Sequence, residues 1–286
     1  ADIGLDTSTA RAHLVQHDDV ARWVPRREAD AHKWRTAVWV VAGSDGMLGA
    51  ARLAAGAAMR AGAGMVYLSS PGATVDPMMP TEVVGRPLPR QGWADVVLAD
   101  SSRFHAFVVG PGSGRDDATA GEVRRFVAGC DRPIVIDGDG LFALAWSDEG
   151  AAPLLRSRVG TTVITPHDGE YAMLIGERVG RDRLAAARFL AARTAAVVAL
   201  KGPATVISEP GGRVLVVTAG DERLATAGTG DVLAGIIGAL LAAGVPAFEA
   251  AAAGAWIHGQ AARRGHSRGL VAGDLVDLLP AVLEAL

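Results

Sequence analysis

From residue 37 onward the chain alternates short, continuous apolar runs with alanine-rich stretches of helical spacing. The runs "AVWVVAG" (37–43), "MVYLSS" (65–70), "HAFVVG" (105–110), "PIVIDGD" (133–139), "TTVITP" (161–166) and "AAVVALKG" (195–202) read as strands. None of them alternates apolar with polar, which is the pattern of strands covered by helices on both faces of a parallel sheet. Between them the spacing predicts helices near 46–61, 116–128, 139–146, 167–176 and 181–193. Strands and helices taken in turn argue for an α/β layered sandwich with a mostly parallel central sheet. The pattern then changes. "ATVIS", the turn "EPGG" and "RVLVV" (204–217) read as an antiparallel hairpin, and three helices follow near 231–243, 247–264 and 273–285. Residues 1–35 are polar and mixed and are expected to lead in to a single domain over 36–286, since no linker or repeat interrupts the rest.

Composition narrows the function classes. The 286 residues are half hydrophobic, enough for one large α/β domain with a sizeable core. The formal charge of −3 and the lack of a Lys/Arg-rich run give no case for nucleic acid. The most apolar tract, 234–259, is broken by Gly238, Gly244, Pro246 and Glu249, so no membrane span is expected. A single cysteine, Cys130, excludes an internal disulfide and suits a reducing, cytoplasmic setting. No secretory n-region and h-region opens the sequence.

Open α/β sheets bind ligands beyond the carboxyl ends of their strands. Here those ends carry "AGSDGMLGAA" (42–51), "GPGSG" (110–114), "DGDG" (137–140), "TPHDGE" (165–170) and "KGPAT" (201–205), while "AGTGD" (227–231) opens an apolar helix. Glycines 43, 46 and 49 lack the spacing of a dinucleotide fingerprint, and neither lysine, Lys33 or Lys201, stands in a Walker A loop. His167 has no second ligand at zinc spacing. At single positions a plainer reading stays open. His167 would serve as a helix cap, Asp137 as an Asx turn, Glu170 as a first-turn acid and Lys201 as a salt bridge. Ser44, Ser113 and Thr165 lack the context of a hydrolase nucleophile. "AGTGD" is the sharpest feature. Gly228 and Gly230 let amides converge on an anion at a helix N-terminus, and Asp231 beside them could take a proton from an attacking hydroxyl. On local sequence that base reading and a simple N-cap reading stand level.

Taken together, "AGTGD" with "VLAGIIGALLAAG", "DAHKWRTAVWVVAGSDGMLGAARLAAGAAMRAGAGMVYLSSPG", "VVGPGSG", "IVIDGDGL", "VITPHDGE" and "VVALKGPATVIS" resemble the ADP/ATP-dependent NAD(P)H-hydrate dehydratases of the ribokinase-like superfamily. The resemblance runs from about residue 20 to the C-terminal end. It departs in two places, with Ala227-Gly228 for two adjacent glycines and "DGDG" for the usual "DADG".

The resemblance implies a ribokinase-like three-layer α/β/α sandwich and a carbon–oxygen lyase that repairs hydrated NADH or NADPH. A nucleotide, ADP or ATP, would phosphorylate the C6 hydroxyl of the hydrated ring, with Mg²⁺ expected at its phosphates. Asp231 is then the base, with Gly228, Thr229 and Gly230 as the anion hole. Lys201, Gly202, Pro203, Ala204 and Thr205, with Gly230, resemble the nucleotide-binding segment. Ala50, Gly112 and His167 resemble contacts to the hydrated cofactor, and Asp137 and Glu170 lie in matching motifs. Family members often form homo-oligomers. The opening "DIGL" resembles the last strand of an epimerase domain often fused ahead of this one. The alternative is a ribokinase-like kinase for a small alcohol, with a stable phosphorylated product.

Overall fold

The computed structural model describes residues 10–147 and 150–286, so the "DIGL" opening lies outside the described residues. A short strand β1 (Ala12–Leu14) and helix α1 (His17–Trp23) come first. The alternating part runs β2 (Ala37–Val41), α2 (Leu48–Arg60), β3 (Met65–Ser69), β4 (Val84–Gly85) and α3 (Trp93–Asp100). It continues through β5 (Ala106–Val109), α4 (Asp117–Gly129), β6 (Ile134–Ile136), α5 (Asp139–Ala145) and α6 (Ala151–Ser157). Next come β7 (Thr162–Ile164), α7 (Asp168–Ile175), α8 (Arg183–Thr194), β8 (Val197–Leu200), β9 (Thr205–Ser208) and β10 (Val214–Val217). Helices α9 (Thr229–Ala242), α10 (Ala247–Arg264) and α11 (Ala272–Leu283) close the chain.

Among the described residues the strands form one sheet in the order β1-β10-β9-β8-β7-β6-β5-β2-β3-β4. Only β9 runs against its neighbours, and it pairs with β10 as the expected hairpin, Val214 opposite Ser208. The sheet is therefore mostly parallel.

Side chains from successive strand positions enter two different cores. Val38 and Val40 of β2 face one layer, with α2, α9, α10 and α11, whereas Trp39 and Val41 face the other. The first layer is rich in alanine and valine, the second in large side chains such as Trp39, Phe107, Phe126, Ile134 and Ile136. Small residues let the helices of the first layer approach closely. A Cβ added at Gly235 of α9 would stand 2.2 Å from the Ala54 carbonyl oxygen of α2. Helix α10, read from sequence as either core or contact surface, is buried from Ala250 to Gly259 within this chain.

Parts of the lead-in segment belong to the sheet and its cover. Strand β1 pairs in parallel with β10. Helix α1 buries Val20 completely, and His17 stacks edge-on against Trp256 of α10. Helices α1, α3 and α6 and strands β1 and β4 had no strong periodic signal, because each is short.

Strand order reverses at β2, whose neighbours are β5 on one side and β3 on the other. Such a reversal opens a crevice at the carboxyl ends. The loops after β2 and β5 meet there. The Gly43 amide donates to the Pro111 carbonyl at 2.7 Å, and the Ser44 hydroxyl donates to the Gly112 carbonyl at 2.9 Å.

Candidate active site

Helix α9 begins two residues earlier than its apolar pattern suggested. Gly228 is its N-cap with φ +89°, a left-handed conformation that L side chains resist. A Cβ there would also stand 2.6 Å from Leu53 of α2. Asp231 is thus the third helical residue rather than the cap, which removes the N-cap reading. The first amides of a helix lack intrahelical acceptors. The Thr229 amide finds the Thr226 carbonyl at 3.4 Å, but those of Gly230 and Asp231 have no acceptor among the described residues. The Thr229 hydroxyl is shared between the Leu224 and Thr226 carbonyls at 2.8 and 3.0 Å, so that side chain braces the turn from behind.

Facing this turn is a buried ionic cluster. Asp137 ends β6, is 2% exposed, and its Oδ1 accepts from the Thr165 hydroxyl and from Lys201 Nζ, each at 2.7 Å. Its Oδ1 is taken by these two groups, and neither carboxylate oxygen accepts from the amide two residues on, so the Asx-turn reading does not hold. Lys201 Nζ also stands 3.5 Å from Glu170 Oε2. A Cβ added at Gly230 would lie 3.3 Å from Lys201 Nζ and 3.5 Å from Asp137 Oδ2, so the turn packs directly against this pair. Burial disfavours the Lys201 charge, but Asp137 and Glu170 more than offset it and hold its pKa above the ordinary lysine value.

Asp231 responds the other way. Burial, then the charge of Asp137, pushes its carboxyl up to about 7, with Lys201 pulling against them and Asp139 and Glu170 adding to the rise. Its carboxylate accepts no hydrogen bond among the described residues. An acid near neutrality, unpaired and beside two free amides, is suited to accept and release a proton at physiological pH.

His167 does cap a helix. Its Nδ1 accepts from the Gly169 and Glu170 amides at 2.9 and 3.3 Å, and Glu170 Oε2 accepts from the His167 amide at 2.8 Å, which completes a capping box on α7. Its Nε2 stays accessible, 3.6 Å from Glu170 Oε1. Ala50 and Gly112 are also adjacent, since a Cβ on Gly112 would stand 2.9 Å from that of Ala50. The exposed Gly202 and Pro203 and the half-buried Ala204 and Thr205 follow Lys201 at the edge of the cluster. Arg183 anchors this segment, donating to the Lys201 carbonyl at 2.8 Å while pairing with Asp168.

Sequence reasoning passed over several supporting groups. Asp139 accepts from the Gly114 amide at 3.0 Å and from Arg115 at 2.7 Å, and so holds the 110–115 loop. The doubled acid of "DGDG" was its only sequence signal. Thr165, fully buried, orients Asp137. His258 of α10 is buried behind the α9 turn with Nε2 unpaired among the described residues, and burial drives its pKa down to about 4. Nothing local in "GAWIHGQAA" marked it. Among the described residues there is no cluster of three metal-ligating side chains and no helix long and apolar enough to cross a membrane.

Comparison with known proteins adds an independent line. A family model described as NAD(P)H-hydrate dehydratase matches residues 38–282. The ADP-dependent (S)-NAD(P)H-hydrate dehydratase of Neisseria meningitidis is 41% identical over 259 residues, covering 87% of this chain and 86% of that protein. The bifunctional NAD(P)H-hydrate repair enzyme of Moorella thermoacetica is 38% identical over 308 residues, covering all of this chain and 57% of its own length. The chain thus spans little more than half of that curated relative. Among solved structures, the ADP/ATP-dependent NAD(P)H-hydrate dehydratase of Bacillus subtilis co-crystallised with ATP/Mg²⁺ superposes with a TM-score of 0.80. It is 28% identical, covering 96% of this chain and 99% of that one.

Proposed function

Because the chain belongs to the NAD(P)H-hydrate dehydratase family, we propose that it repairs hydrated NADH or NADPH by nucleotide-dependent dehydration. The ribokinase-like fold suits phosphoryl transfer to a hydroxyl. The observation that carries the reading is Asp231, an unpaired carboxyl near neutrality beside the free amides of Gly230 and its own residue.

The chemistry follows from the charges. Asp231 takes the proton of the C6 hydroxyl as its oxygen attacks the terminal phosphorus, and the bond to the nucleotide's leaving phosphate oxygen breaks. The amides at the α9 N-terminus stabilise the charge spread over the transferring oxygens. Phosphate then leaves from C6, expelled by the ring-nitrogen lone pair, and loss of a C5 proton restores the reduced nicotinamide.

The nucleotide belongs along the segment that Lys201 opens, at Gly202–Thr205, with Gly230. The hydrated cofactor belongs along Ala50, Gly112 and His167, toward Asp137, Glu170 and Asp231. Lys201 Nζ meets Asp137 Oδ1 and stands near Glu170, which leaves Asp137 Oδ2 without a hydrogen bond among the described residues. Mg²⁺ asks for one or two carboxylates alongside nucleotide phosphates, and the Asp137 Oδ2 left open by Lys201 and Thr165 would fit that need. When bound, it would neutralise phosphate charge.

On this reading residues 36–286 are the catalytic domain of a cytoplasmic enzyme that assembles as a homo-oligomer, one half of a two-activity polypeptide with a fused epimerase. Incubating the protein with hydrated NADH, ADP or ATP and Mg²⁺ tests the activity. Recovery of reduced-nicotinamide absorbance with release of phosphate is the expected result. Accumulation of a stable phosphorylated alcohol without that recovery would instead favour the small-alcohol kinase.

A further inference from the structure

The side chain of Lys201 turns away from the segment that it begins. Its main chain is already engaged, the amide donating to the Pro166 carbonyl at 2.8 Å and the carbonyl accepting from Arg183. The ammonium, only about one-fifth exposed, meets Asp137 at 2.7 Å and Glu170 at 3.5 Å, two carboxylates delivered by different elements, the β6 end and α7. Without a cation between them these acids would repel one another in a poorly solvated site. The ammonium has three N–H donors, of which one goes to Asp137 while Glu170 stands at ion-pair distance.

The choice of lysine is itself informative. All but two of the 28 Lys and Arg positions of the chain are arginine. Gly230 borders the space at Lys201 Nζ, and a Cβ there would stand 3.3 Å away. A compact ammonium fits between two carboxylates and a helix turn, whereas a planar guanidinium fork needs more room.

We infer that Lys201 is a positioning residue of the phosphoryl-transfer centre, its ammonium clamping Asp137 to Glu170 beside Gly230 rather than gripping the nucleotide. This rests on the dehydratase reading for its reaction. It leaves Gly202–Thr205 as the part of the segment that receives the nucleotide. The clamp keeps the two carboxylates in one geometry relative to the α9 turn, and small misplacements of such groups cost about 10²-fold in rate.

The test uses Lys201→Met, Lys201→Arg, Asp137→Asn and the pair Lys201→Met/Asp137→Asn, with three readouts. These are ADP affinity by calorimetry, the split of kcat against nucleotide KM, and thermal unfolding. The clamp predicts that Lys201→Met lowers kcat by ~10²-fold while ADP affinity and nucleotide KM stay within about threefold. Lys201→Arg should lose most of that rate as well, although it keeps the charge. In unfolding, Asp137→Asn should lower Tm less in the Lys201→Met background than in the wild type, because the clamp is already open.

A loss of ADP affinity of tenfold or more with near-normal kcat at saturation would overturn the inference. So would full activity in Lys201→Arg, or additive changes in Tm. If Lys201→Met does not fold, the paired variant, which removes one acid with the cation, and Lys201→Arg decide the matter. Failure of the wild type to restore hydrated NADH would defeat the dehydratase reading alone. ADP affinity and the unfolding cycle would still judge the clamp.

Discussion

Asp231 sits where a helix N-terminus should stabilise its negative charge, yet its carboxyl is raised to about 7. A helix end favours an anion by ~0.3–1 kcal/mol, up to ~2 where partly buried. Desolvation and the neighbouring Asp137 charge outweigh that here. A base must be ionised, so the rate should climb with pH and reach half its plateau near 7. Asp231→Asn should lower turnover by at least ~10²-fold and abolish that acid limb, while nucleotide affinity is largely kept.

The same group makes a stability prediction. Its folded pKa lies above the unfolded value, so its contribution is whole below about pH 4 and is lost as pH rises through 7. Asp231→Asn should therefore match the wild type in denaturant near pH 4 and exceed it at pH 8, by on the order of 1–4 kcal/mol. Equal stability at both pH values would contradict the raised carboxyl. The sequence identified Asp231 as an acid worth explaining. The protonation argument needed Asp137, some ninety residues earlier, beside it.

Helices α2 and α9 show how the site is held in place. Gly235 packs against the Ala54 carbonyl so closely that any side chain forces them apart, and Gly228 meets Leu53 and Ala272 at the start of the same helix. Gly235→Ala should cost ~1–3 kcal/mol in chemical denaturation and shift the α9 N-terminus, raising KM for substrate and nucleotide together. The long elements were legible because apolar period and glycine punctuation agree over ten or more residues, as in α2 and α10. Helix α1 was not, since "HDDVARW" offers one buried valine per two turns. Strand β1 was not, since its three exposed residues earn their place by pairing with β10, a partner two hundred positions away. The α9 boundary slipped by two residues because Gly228-Thr229-Gly230 has poor helix propensity, overridden by packing on α2 and α11.

In the whole molecule, the first described residues matter more than their polar composition suggests. Val15 and Val20 are buried in the α9–α10 layer, and the Val15 amide donates to Val216 at 2.9 Å. Removing residues 1–24 should lower Tm by roughly 5–10 °C, from ~1.5–3 kcal/mol for each buried valine. ADP affinity should stay within about threefold, because β1 pairs with β10 and α1 packs on α10. A Tm that does not move would show that β1 and α1 add no stability.

The sequence by itself determined the layer architecture, the hairpin, the ordered glycine and acid loops, and the family to which they belong. These are carried by local period, by turn chemistry and by motifs that stay contiguous in the chain. Only the tertiary structure decided that Asp231 is not a cap, that Asp137 and Glu170 share one ammonium, and that α10 is core. Those facts depend on groups brought together from distant strands by the sheet order, and on the burial that strengthens every charge between them.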